Sequence, residues 1–186
     1  MDQPLLSNPD LNRRRFLRWG IAAAAAALPM PAWATALGTA KRRLSFVNLH
    51  TDETLTALYW ANGSYQPNAV EDINHLLRDF RTDNVHAIDL RLLDLLYTLQ
   101  HKVRSQSPFQ VISGYRSPAT NARLAALSDG VAHRSYHMKG MAIDIALTDR
   151  TLPALHQAAL SLQAGGVGFY PKPGFVHVDV GPVRTW

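Results

Sequence analysis

The chain has 186 residues, 47% hydrophobic and 18% charged, and about 150 remain once an N-terminal leader is set aside, enough for one domain with its own core. Eleven Gly and eleven Pro are ordinary for a globular protein and exclude collagen-like or low-complexity polymers, while the absence of cysteine excludes disulfides, thiolate metal sites and a cysteine nucleophile. The formal charge of +5 divides into +2 over residues 1–34, from four Arg against Asp2 and Asp10, and +3 over the rest; this mild excess suits an anionic polymer without naming one, and no Lys/Arg run with interleaved aromatics suggests a nucleic-acid groove.

The N-terminus reads as an address. Arg13-Arg14-Arg15-Phe16-Leu17-Arg18 precedes Trp19-Gly20-Ile21, six alanines and Leu28, followed by Pro29, Pro31 and Ala32-Trp33-Ala34. A basic head, an apolar middle and small residues at 32 and 34 make a secretory leader, with cleavage expected after Ala34. The apolar run, about ten residues long, is too short to span a bilayer of about 30 Å as a helix. The pair Arg13-Arg14 with Phe16 and Leu17 resembles the twin-arginine signal, whose export machinery carries folded proteins; an uncleaved anchor or a general-secretion leader is the alternative. No later segment is apolar enough to stay in a membrane, so the expected location of the mature protein is an extracytoplasmic space.

Residues 35–43 are small and basic and are expected to form a flexible lead-in, with the folded domain over 44–186. Leu44 to His50 and Glu53 to Trp60 are β-prone, and Thr51-Asp52 and Asn62-Gly63 supply turn chemistry, which predicts an N-terminal hairpin. Val70, Ile73, Leu76, Leu77 and Phe80 recur at helical spacing. A second helix carries Leu92, Leu93, Leu95, Leu96, Leu99 and Val103 behind Asp89 as its cap. Phe109 to Ile112 reads as a short buried strand ending in the loop Ser113-Gly114-Tyr115-Arg116-Ser117-Pro118, which opens a helix of about ten residues. Met141 to Leu147 is a strand around Asp144, Leu152 to Leu162 is helical, and Val167 to Tyr170 with Phe175 to Val180 form a closing hairpin. Helices and strands without regular alternation indicate an α+β fold.

Three places combine unusual residues with strand or loop settings. His137 ends an irregular stretch and Asp144 sits among Ile143, Ile145 and Ala146, where a buried carboxylate needs a cation or good hydrogen bonds unless it points to water instead. On the strand Phe175 to Val180, His177 and Asp179 share one face and Val176, Val178 and Val180 the other. Two imidazoles and a carboxylate, His137, Asp144 and His177, would make a three-ligand zinc centre with a fourth position for water. Arg116, just after a buried strand, can grip a carbonyl oxygen or carboxylate, or simply pair with a surface acid.

In this order and spacing the segments resemble the zinc peptidases of the LAS group, named for lysostaphin, D-Ala-D-Ala metallopeptidases and sonic hedgehog. The match is nearest to the D-Ala-D-Ala carboxypeptidase-like branch and its murein endopeptidase K-like members. It runs from the twin-arginine leader through Ile112-Ser113-Gly114-Tyr115-Arg116-Ser117, Ser135-Tyr136-His137 to Asp144, Gly165 to Tyr170, Phe175 to Asp179 and Gly181 to Trp186. The resemblance implies a hedgehog/DD-peptidase-like fold: a small antiparallel sheet carrying the zinc site, flanked by helices. It implies one Zn2+ per chain on His137, Asp144 and His177, peptidoglycan stem peptides as substrate, and a periplasmic location. The function it implies is a zinc-dependent murein endopeptidase, with a D,D-carboxypeptidase or dipeptidase and a non-hydrolytic wall-binding module as alternatives. In this family the activating base is often an acid three residues before the last ligand, where this chain has Gly174. Asp179, which could instead orient a ligand, and His133 are the candidates for that duty, alongside Arg116 as the carbonyl-gripping residue.

Overall fold

The computed structural model describes residues 41–127 and 132–186; the leader expected over 1–34 lies outside them, as does most of the lead-in. The first strand, β1 (Arg42–Asn48), takes in the last two residues of that lead-in. Arg42 pairs with Trp60 across the sheet, its guanidinium bonds Asp94 at 2.7 Å, and it lies 5.0 Å from the Trp60 ring, so a residue that reads as tail is anchored at both its charge and its stem. β1 forms the expected hairpin with β2 (Thr54–Ala61). Asn62-Gly63, both at positive φ, turn β2 into a short further strand, β3 (Ser64–Tyr65).

The helix α1 (Pro67–Leu76) stops short of Phe80. Phe80 instead lies on the loop that follows, stacked on His50 with ring centroids 3.9 Å apart. The next helix, α2 (Leu90–Lys102), is capped by Asp89, whose carboxylate accepts the Arg91 N–H. Its leucines pack under the sheet against Leu44, Phe46, Phe109, Ile143, Ile145, Val176 and Val178. Strand β4 (Phe109–Ser113) leads to α3 (Pro118–Leu127), a 3-10 turn spans Tyr136–Lys139, and β5 (Ala142–Ala146) follows. Helix α4 (Leu152–Leu162), β6 (Gly166–Tyr170), β7 (Phe175–Asp179) and β8 (Arg184–Thr185) complete the chain. Among the described residues no helix is long and apolar enough to cross a membrane.

The fold is α+β as expected, but its sheet is neither small nor wholly antiparallel. Eight strands run in the order β3-β2-β1-β4-β5-β7-β6-β8, with β1 parallel to β4 and β6 parallel to β8. The chain passes through two helices between β1 and β4 and so returns in the same direction, as a crossover must. After β7 it doubles back through Gly181-Pro182 and lays β8 along the outer edge of β6.

One irregularity prepares the site. Val111 pairs with Ile145 on the core face, yet Ser113 pairs with Asp144, so a bulge at Ile112 turns β4 over by one residue. Ser113, Asp144, His177 and Gly168 then lie in one row across β4, β5, β7 and β6.

A second device holds the loop after β4. Asp79, 1% exposed, accepts the Ser117 N–H at 2.9 Å and the Arg81 N–H at 3.1 Å, while the Ser117 hydroxyl accepts the Thr120 N–H as the cap of α3. Burial pushes the Asp79 carboxyl up, but the hydrogen bonds from Ser117, Thr120 and Arg81 outweigh it and bring its pKa down to about 2. A carboxyl lowered on folding stabilises the fold above its unfolded value, and that stabilisation disappears as pH falls through the folded value. In urea unfolding, wild type is therefore expected to exceed Asp79→Asn by about 2 kcal/mol near pH 6 and to lose that advantage as pH falls from about 4 to about 2; parallel pH profiles for the two proteins would refute it.

Candidate metal centre and cleft

His137 is delivered by the 3-10 turn, and its own N–H donates to the Ser135 hydroxyl that caps that turn. Its Nδ1 lies 2.7 Å from the Gly114 carbonyl oxygen. A carbonyl only accepts, so Nδ1 carries the proton and Nε2 presents a lone pair. His177 is set the opposite way. Its Nε2 lies 3.0 Å from the Asp179 carboxylate, again an acceptor, so Nε2 carries a proton, and Nδ1, 2.9 Å from the Asp144 carboxylate, is the nitrogen that a metal would take in place of its proton.

The two lone pairs converge with Asp144. His137 Nε2 is 3.2 Å from His177 Nδ1, His177 Nδ1 is 2.9 Å from Asp144 Oδ1, and His137 Nε2 is 3.3 Å from the same oxygen. Ligands at about 2.0–2.1 Å around a tetrahedral zinc stand about 3.3 Å from one another, so this triangle fits such an ion without rearrangement. All three residues are buried, and of the alternatives open for Asp144 the structure takes burial, at 5% exposure. Burial pushes the Asp144 carboxyl up, but His137 and His177 outweigh it and hold it well below the usual carboxylate range, so it is an anion at neutral pH.

Arg116 comes from the loop after β4, tied down by its own N–H on the His137 carbonyl at 3.2 Å. Its guanidinium reaches Asn121 Oδ1 at 3.3 Å and lies 3.8 Å from Asp144 Oδ2. Its Nε is buried with no protein partner. The guanidinium as a whole lines the cleft, where it can meet an acceptor on a bound molecule.

These residues line a cleft of ≈ 430 Å³ together with Tyr136, Tyr170, Phe175, Arg134, Arg184 and Trp186. Thus His137, Asp144, His177 and Arg116 meet in one place. Asp179 does not join them in the cleft. It is fully buried behind His177, accepting from that imidazole, from Arg184 at 2.6 Å and from the N–H groups of Gly166 and Gly181. Burial would raise its pKa, and these donors instead lower it far below the ordinary carboxylate value. His133 is exposed and is not among the residues lining the cleft; its carbonyl accepts from Asn121. Gly174 sits in the β6–β7 turn at φ 83°, so no acid projects from that position.

Sequence reasoning gave no role to the aromatic side of the cleft. Trp186 packs its indole against His177, ring centroids 5.2 Å apart, and donates to the Tyr170 hydroxyl at 2.6 Å. It fits because residue 168 is glycine: a Cβ there would stand 2.7 Å from the indole. The available signal was strand parity, since Tyr170 lies two residues from Gly168 and so shares the face of His177.

Residues 36–186 match the family profile described as peptidoglycan L,D-endopeptidase MepK, a division of the M15 peptidases, which are zinc enzymes. Residues 10–29 match the twin-arginine translocation pathway signal sequence. The chain is 45% identical over 178 residues to peptidoglycan L,D-endopeptidase MepK of Escherichia coli (strain K12), covering 95% of this chain and 98% of that protein. The Shigella flexneri protein of the same name gives the same figures. The probable peptidoglycan L,D-endopeptidase MepK of Haemophilus influenzae is 39% identical over 179 residues, covering 95% of this chain and 96% of that protein. A family profile matched over residues 36–186 and 45% identity along nearly the whole of both chains agree: the chain belongs to the peptidoglycan L,D-endopeptidase MepK family of M15 peptidases.

Proposed function

We propose that this chain is a periplasmic murein endopeptidase that hydrolyses peptide cross-links of peptidoglycan, at an amide between an L- and a D-centre such as the one joining two diaminopimelate residues. Family membership supports the reaction class and the twin-arginine signal supports the compartment. The observation that carries the chemistry is the triangle of His137 Nε2, His177 Nδ1 and Asp144 Oδ1. One zinc ion held there would supply a Lewis acid for the scissile carbonyl and a nucleophile from bound water at neutral pH.

The protein's own groups have separable tasks. Gly114 and Asp179 fix the two imidazole tautomers, and Arg116, which lines the cleft, offers its guanidinium to the substrate carbonyl or to a neighbouring carboxylate. Asp179 is given the orienting role rather than that of the base, because its two oxygens already serve an imidazole, a guanidinium and two backbone N–H groups. A wall-binding module without hydrolysis is the second reading, favoured by the missing acid at Gly174.

A digest of defined cross-linked muropeptide dimers by the mature, zinc-loaded protein, read by mass spectrometry, separates these readings. Dimers falling to monomers are expected. Loss of alanine alone would mark a carboxypeptidase, and binding to sacculi with no release would mark the binding module. His137→Ala and Asp144→Ala are each expected to drop bound zinc from about one per chain to near zero and to lower the rate of monomer release by at least about 100-fold; metal-free protein of full activity would sink the metal assignment. Asp179→Asn is expected to weaken zinc binding by about 10–100-fold and to regain most activity at saturating zinc, whereas a base would leave binding intact and lose turnover at full occupancy.

A further inference from the structure

Two features of the cleft were left over by that account: the Tyr170 hydroxyl and the Trp186 indole N–H that bonds it. Tyr170 ends β6 on the same face as His177, and its ring is stacked on Phe175 with centroids 4.6 Å apart and planes 22° off parallel. That stacking restricts the ring, and the indole restricts the hydroxyl. An indole N–H only donates, so at 2.6 Å the Tyr170 oxygen must accept, and its own proton has to point elsewhere.

Among the described residues no protein group receives that proton. Arg116, Arg134 and Arg184, which line the same cleft, are donors without acceptor capacity. The Asp144 carboxylate is turned to the two imidazoles and to Arg116. Trp186, 49% exposed, is held at its backbone, and its indole packs on the inner side of the cleft. Its backbone N–H bonds the Val167 carbonyl at 3.3 Å, its carbonyl accepts from Phe169 at 3.1 Å, and the indole occupies the space over Gly168 with the Arg184 guanidinium 5.0 Å from its ring.

We propose that Tyr170 is a further catalytic residue of this site, donating its hydroxyl hydrogen bond, beside Arg116, to the carbonyl oxygen of the amide being cut, and that Trp186 is the positioning residue that directs that hydrogen into the cleft. The inference rests on the peptidase reading above. The hydrogen bond strengthens as the carbonyl oxygen gains negative charge during attack, and no proton changes owner, so tyrosine acts as an oxyanion donor. The arrangement also accounts for a tryptophan placed against His177 rather than an aliphatic residue of similar bulk: only an indole offers both the flat wall and the N–H.

The test uses zinc-loaded wild type, Tyr170→Phe, Trp186→Phe and the double variant on a defined cross-linked dimer, with zinc content and thermal midpoint measured on each. Tyr170→Phe keeps the ring and its stacking, and is expected to lower kcat by about 100-fold with KM within about twofold and zinc content unchanged. Trp186→Phe is expected to lower kcat by a smaller factor and to add nothing in the Tyr170→Phe background, because both act through one hydroxyl. Tyr170→Phe with kcat within about twofold of wild type would overturn the proposal, as would a loss of kcat matched by an equal loss of zinc. If wild type itself releases no monomers, the peptidase reading fails and takes this inference with it; if wild type and Tyr170→Phe turn over alike, this inference alone fails.

Discussion

A negative charge buried in the interior of the sheet is the constraint around which this structure is organised. Asp144 lies on β5 with strands on both sides, and an uncompensated carboxylate there would cost several kcal/mol. Its neighbours Ile143 and Ile145 face the helices and offer nothing polar, so all compensation must come from the other face. His137 arrives from the 3-10 turn, His177 from the adjacent strand and Arg116 from the loop after β4. The bulge at Ile112 belongs to this logic. By turning β4 over at its end, it brings Ser113 onto the row of Asp144 and His177 and starts the Arg116 loop on the cleft side.

The two histidines show how little of a candidate metal centre lies in the side chains that face it. Both are imidazoles, but one presents Nε2 and the other Nδ1, and nothing in the side chains decides which. The decision is made by acceptors one step further out: a backbone carbonyl at Gly114 and the carboxylate of Asp179. Each acceptor is itself fixed. The Gly114 strand end is stitched to the α1 side by the Tyr115 N–H on the Leu77 carbonyl, and Asp79 holds the next turn through Ser117. Asp179 is clamped by Arg184, whose guanidinium lies between the Tyr136 and Trp186 rings, 5.0 Å from each centroid. Aromatic wall, cation and second carboxylate thus form one support behind His177.

Much of this was legible in the chain before any coordinates, and the reasons differ by element. Helix α2 announces itself through Leu92, Leu93, Leu96 and Leu99, because a stripe of apolar residues at helical spacing has no other stable use in a globular domain. The hairpins follow from local turn chemistry, as at Asn62-Gly63. The alternation His177, Val178, Asp179 marks two polar side chains on one face, but not that Asp179 is sealed behind its neighbour. That depends on Arg184 and on the N–H groups of Gly166 and Gly181, which are brought in by the return of β8 along β6. The mixed sheet escaped for a similar reason: strand direction between β1 and β4 is decided by where two helices put the chain down, a tertiary matter with no local signature. Phe80 fits the periodicity of α1 yet lies beyond it, held by His50 and by the Asp79–Asn84 bridge.

The balance of donors and acceptors in the cleft points the chemistry in one direction. Apart from the candidate ligands, the polar residues that line it are Arg116, Arg134, Arg184, Ser135, Tyr136 and Tyr170, and the nearby carboxylate of Asp179 is withdrawn behind an imidazole. A site built of donors stabilises negative charge, whether it is already on the substrate, as in the free carboxylates of a stem peptide, or develops on a carbonyl oxygen under attack. On the peptidase reading, such a cleft would lower the barrier by stabilising the negative charge that develops during attack, an effect that a partly enclosed, low-dielectric space strengthens.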